Sequence, residues 1–200
     1  MLKHNARGHG EFVTHLVGSD GIWTPPLHDW TPNAWLYGWG EIATQTIVQG
    51  LAAYQLRAMY IEFENVADPD DPVSIPEIDR AEGVSYYNGL ASSANRDYIC
   101  VPLEVSPALS VIPGYEDWLD EGYNNRAVLS AQTTGTTGVH GKTFSDTVNS
   151  KVFGIAVVAM PEFDDRTKDV VFARAYHAAG DQTVKPASSQ VAATYRLEFK

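Results

Sequence analysis

The chain changes its hydrophobic rhythm several times, and each change predicts a different element. "QLRAMYIEFENV" alternates, so Met59, Ile61 and Phe63 share one face of a strand. "VFGIAVVAM", Val152 to Met160, is the longest apolar run and fits a buried strand. "DVVFARAYHA" alternates again, predicting Val170, Phe172, Arg174 and Tyr176 on one face and Val171, Ala173 and Ala175 on the other. "VAATYRLEF" groups Val191, Ala193, Tyr195, Leu197 and Phe199. "RAVLSAQT" and "DYICVPLEV" are further strands, with Pro102 placing the second at an edge or a bulge. One stretch has helical spacing. From about Gly40 to Tyr54, Ile47, Val48, Leu51 and Ala52 fall on one face, which predicts a short helix packed on a sheet.

Strands outnumber helices, and no βαβ alternation appears. The expected fold is mainly β: an antiparallel β-sandwich or jelly-roll-like domain with one short flanking helix. Residues 1–38 depart from this pattern and read as an irregular N-terminal arm, leaving 39–200 as a single β-rich domain. The arm carries turn signals at Gly18-Ser19-Asp20-Gly21, Pro25-Pro26 and Thr31-Pro32-Asn33. Together with Trp39 just beyond it, it also holds four of the five tryptophans: Trp23, Trp30, Trp35 and Trp39. Rings in such a segment must be covered, either by their own domain or by another chain. These four are therefore the candidate interface residues.

Composition narrows the function. The 200 residues carry a net charge of -11, which repels phosphate backbones, and no basic cluster offsets it. Nucleic acid is thus an unfavourable partner. No apolar run approaches the ~18 residues that span a bilayer, and the opening "MLKHNARGHGEF" lacks the apolar centre of a signal peptide. Cys100 is the lone cysteine, so no internal disulfide forms, and its strand-like surroundings suit a small buried hydrophobe.

The motifs that suggest chemistry fail on spacing. "GTTGVHGKT", residues 135 to 143, ends like a phosphate-binding loop. Such a loop needs four residues between its outer glycines and a helix after its Lys-Thr. Gly135 and Gly141 enclose five, and "FSDTVNSKVFGIAVV" runs into a strand. The stretch reads instead as a Gly/Thr connection between two strands of one sheet. His4, His9 and His15 have no metal-site spacing and read as polar surface of the arm. Asp68, Asp70 and Asp71, like Glu162, Asp164, Asp165 and Asp169, lack the glycine of a calcium loop and read as solvated loops. No nucleophile elbow or Ser/His/Asp set is identifiable, so neither a catalytic residue nor a cofactor is assigned.

Two stretches carry a family likeness. The predicted helix followed by "LRAMYIEFENV", and the closing "DRTKDVVFARAYHAAGDQTVKPASSQVAATYRLEF" from Asp165 to Phe199, cover roughly residues 40 to 66 and 150 to 200. They resemble the opening and closing units of small β-rich virion structural proteins of tailed bacteriophages. That resemblance implies a non-enzymatic tail- or neck-associated protein, assembled in the host cytoplasm into the virion. Its partners would be other virion proteins and copies of itself, without nucleic acid or membrane. A capsid decoration protein is the alternative within that class. A carbohydrate-binding β-sandwich module is the alternative outside it, because exposed Trp and Tyr faces suit sugar stacking.

Overall fold

The computed structural model describes residues 8–36, 38–65, 84–91, 96–105, 126–133, 149–162, 165–186 and 189–199. In chain order these residues form β1 (Gly8–Val17), β2 (Thr31–Pro32), β3 (Ala34–Trp35), α1 (Gly38–Ala43), β4 (Leu56–Asn65), α2 (Val84–Ala91), β5 (Arg96–Pro102) and β6 (Glu104–Val105). Then follow β7 (Arg126–Gln132), β8 (Ser150–Ala159), β9 (Val170–Tyr176), β10 (Thr183–Lys185) and β11 (Gln190–Phe199).

The strands make two antiparallel sheets that pack as a β-sandwich, as the alternation predicts. One sheet has the order β2-β1-β11-β7-β6, the other β3-β9-β8-β4-β5, with β10 continuing beside β8. β1 pairs with β11 and β3 with β9, so pairing is nested from the outside inward, in the manner of a jelly roll. β5 lies at a sheet edge and ends at Pro102, where a missing N–H costs no ladder bond.

The main core lies between the sheets. Met59, Ile61 and Phe63 of β4 meet Phe12 of β1 and Val191, Ala193, Tyr195 and Leu197 of β11. A second apolar layer covers the outer face of the β4–β8–β9 sheet. There Tyr87 and Leu90 of α2 close over Ala58, Tyr60, Tyr98, Cys100, Ala156 and Val158. β8 is buried along its whole length because both of its faces are covered. Cys100 is a buried thiol facing Met160 Sδ at 3.8 Å, and burial holds its proton affinity well above that of an ordinary thiol.

Four expectations change. Residues 8–17 of the supposed arm are an integral strand, matched one to one with β11, and the irregular part runs instead from Gly18 to Trp30. The pattern concealed β1 because "GHGEFVTHLV" begins with two glycines and buries two polar side chains, Thr14 and His15. β7 and β8 belong to different sheets, so the two strands do not pair as a hairpin. The GTTGVHGKT stretch itself, like His4, His140, Asp68, Asp70, Asp71 and Asp164, lies outside the described residues. Helix α2 is an element that the hydrophobic pattern does not announce.

The fourth change is one of phase. Val157 faces Ala173 but Val158 faces Val171, so Phe172 is an extra residue on β9. This bulge turns Phe172 and Ala173 both toward the inner core. Arg174 and Tyr176 are thereby placed on the outer layer, opposite the face that strict alternation assigns them with Phe172.

Candidate functional site

The predicted helix does not form as one element. α1 ends at Ala43, and the chain continues as a π-helical turn over Thr44–Val48, in which the Gln49 N–H reaches back five residues to Thr44 O at 3.1 Å. Closing each ring one residue late rotates the following side chains off the face set by α1. Ile42 stays buried against the main core, while Ile47 and Val48 are 80% and 78% exposed and Leu51 is 44% exposed. Gly50, at φ +68°, ends the turn in the left-handed region. The apolar face that should pack on a sheet thus stands in solvent.

Beside this turn an apolar cavity of about 490 Å³ opens between the sheets. Leu56, Leu129, Leu197 and Phe172 come from the two inner sheet faces, and Trp39, Ile42, Thr46 and Ile47 from the helical segment above. Thr46 Oγ1 is a buried oxygen without a hydrogen-bond partner among the described residues. With no charged residue among the described ones that line it, the cavity is suited to an apolar guest and not to polar chemistry.

The four candidate tryptophans are dispersed. Trp23 is 8% exposed, packs on Val17, Val128 and Ala192, and donates from Nε1 to Gln132 Oε1 at 3.0 Å. Trp30 is half-buried beneath the Arg196 guanidinium, 4.2 Å from its ring centre. Trp35 and Trp39 lie 5.1 Å apart and both approach Phe172. Only Trp39 reaches the cavity. The neighbouring residues that sequence reasoning missed are Ile47 and Val48. Their helical spacing announced burial, and only the π-turn reverses it.

The strongest electrostatics lie elsewhere. Under α2, Glu62 accepts from Arg174 Nε at 2.6 Å, from Arg174 Nη2, and from the Tyr87 hydroxyl at 2.8 Å. The guanidinium is 3.6 Å from the centre of the Tyr86 ring and 4.0 Å from that of Tyr176. Burial is the largest single influence and works against the charge on Arg174, but the Glu62 carboxylate together with Tyr87 and Tyr86 outweighs it and holds the guanidinium protonated. Both ion-pair members are fully buried. The cluster joins β4, β9 and α2 and so braces the outer layer.

A second polar group ties the Thr24–Thr31 segment to the sandwich. Thr24 O meets His15 Nδ1 at 2.8 Å, the Thr14 N–H donates to His28 Nε2 at 3.2 Å, and Thr31 Oγ1 meets His177 Nδ1 at 3.0 Å. His15 is therefore an internal residue and not polar surface, since the strand that carries it lies between β2 and β11. His9 is exposed and faces Glu11. Asp169, read as part of a solvated loop, is likewise buried and accepts from the Tyr60 hydroxyl. Among the described residues no three His, Cys, Asp or Glu side chains are grouped to share a metal ion, and no helix is long and apolar enough to cross a membrane. No protein-family model, curated protein or solved structure matches this chain.

Proposed function

We propose that the chain is a non-enzymatic structural protein of a tailed-bacteriophage virion, tail- or neck-associated, which joins its assembly through the cavity end. The observation that carries the docking part is the apolar rim. A small guest filling the cavity would still leave Val48 and Leu51 in water. Covering them takes a protein surface, and large exposed apolar groups beside a recess are what such surfaces bury. The virion assignment rests on the likeness of residues 40–66 and 150–200 to tail-associated proteins. A sugar-binding platform has less support, because it needs open ring faces. The Trp23 ring packs on its own domain, and Arg196 stands over Trp30.

Removing residues 1–38 is a poor test, because it deletes β1 and with it the middle of a sheet. The test is an Ile47→Asp/Val48→Asp variant, expressed in place of the wild-type chain during phage growth. Wild-type protein is expected in purified particles, and the folded variant is expected to be missing from them. Wild-type chain absent from particles would overturn the reading.

A further inference from the structure

β1 serves as a ruler along the sandwich. Gly10, near its start, pairs with Leu197, which lines the cavity. Val17, at its end, leads into a tight turn. There the Gly18 N–H donates to Ile22 O at 3.0 Å, the Gly21 N–H to Gly18 O at 3.0 Å, and the Ile22 N–H to Asp20 Oδ1 at 3.0 Å. Trp23 then bridges back to Val17 and buries its ring. With Trp23 anchored inward, Ile22 is thrust outward and is 67% exposed. Seven residues at ~3.3 Å each separate the two places along the strand, or about 23 Å. One end of the domain therefore carries an apolar recess, and the opposite end an apolar knob on a turn stiffened by three hydrogen bonds.

One pair of charges beside the two features is complementary, although the exposed Glu41 also borders the recess next to Ile42. Asp20 stands next to the knob, and the exposed Arg57 follows Leu56 at the recess. With the knob seated, Asp20 would approach Arg57 at the rim, where opposite charges set orientation.

We propose that the Ile22 turn of one copy seats in the Leu56–Phe172–Leu197 cavity of the next copy. This deepens the reading of the cavity end as a docking face, and rests on it. Because knob and recess are different surfaces, the contact is heterologous. It repeats head to tail and yields a ring or an open stack, not a two-fold dimer.

Sedimentation velocity of the full chain over a range of concentrations tests this. Wild type is expected to form species larger than a dimer. Ile22→Asp, with a spoiled knob, and Ile47→Asp, with a spoiled recess, are each expected to be monomeric. Both substitutions fall at exposed positions, and unchanged circular dichroism melts establish that the variants are folded. Mixing the two is the decisive step. The intact Ile22 of the second variant meets the intact recess of the first, so a one-to-one pair forms and grows no further. Assembly by Ile22→Asp, with loss in Ile47→Asp alone, would overturn self-pairing while leaving the docking face intact. A monomeric wild type that still enters particles would do the same. No effect of either substitution on assembly or on particle entry would overturn both readings.

Discussion

Glu62 and Arg174 join strands that are not neighbours. β8 lies between β4 and β9, and the carboxylate reaches the guanidinium across it beside Gly154. The pair is thus a transverse tie over the outer face of the sheet. Removing one partner leaves a buried, uncompensated charge, whereas removing both takes the two charges away together. Glu62→Ala is expected to lower stability by ~3–5 kcal/mol in urea unfolding. The double change Glu62→Leu/Arg174→Met is expected to cost much less than either single truncation. Additive losses would mean that the pair is not coupled.

Gly154 makes that tie possible. A Cβ on it would stand 2.8 Å from Glu62 Oε2 and 3.0 Å from Tyr176 Cδ1. Gly154→Ala is expected to cost about 1–3 kcal/mol through overpacking. In a Glu62→Ala background most of that cost should vanish, because the clashing carboxylate is gone. A double-mutant cycle measures the difference.

Much of the sandwich was legible from alternation. β4 and β11 present the predicted faces, because each stays in phase along the residues that line the core. Two of the misplaced faces share a cause: one residue added to a regular repeat. Phe172 shifts β9 by one and carries Arg174 to the outer layer, and the π-turn shifts Ile47 and Val48 into solvent. Neither insertion has a signature in residue type, so pattern reading carried the old phase through both. The Glu62–Arg174 tie was hidden for the same reason. Its members are far apart in sequence and share a face only after the bulge.

Proton linkage gives a pH signature. Burial, with the neighbouring His28, lowers the His177 pKa to about 3, and burial lowers that of His15. A histidine kept neutral in the fold but free to protonate when unfolded costs stability as pH falls below the unfolded value. The loss approaches ~1.4 kcal/mol per pH unit per group. The stability contributed by these two histidines should therefore fall from about pH 6.5 toward pH 3. The advantage of wild type over His177→Gln should shrink over the same range. A constant difference between the two melting curves would contradict this.

Asp169 works in the opposite direction. Burial raises its pKa to about 6, against the hydrogen bond from Tyr60, which lowers it. Its protonated form is favoured in the fold, so it favours folding in acid and opposes it once the carboxylate ionises. Asp169→Asn is expected to raise the melting temperature above pH 6, with the gain fading toward pH 4. Equal gains at both pH values would show that ionisation is not the cause.

Thr46 tests the apolar character of the cavity. Its Oγ1 is buried with no partner among the described residues. Thr46→Val keeps the shape and removes the unsatisfied oxygen, and is expected to stabilise by about 1 kcal/mol. Thr46→Asp should have the reverse effect and should also block whatever the cavity receives. Thermal melts and sedimentation read the two effects separately.

The ten-residue pairing of β1 with β11 also governs when the protein can fold. β1 is among the earliest described segments to leave the ribosome, yet one of its edges stays unmatched until β11 is synthesised. β7 depends on the same strand for its register. The sheet therefore closes late and all at once, through contacts of very long sequence separation, which favours slow folding. Until then β1 exposes an unpaired edge, the kind of template on which nascent chains aggregate.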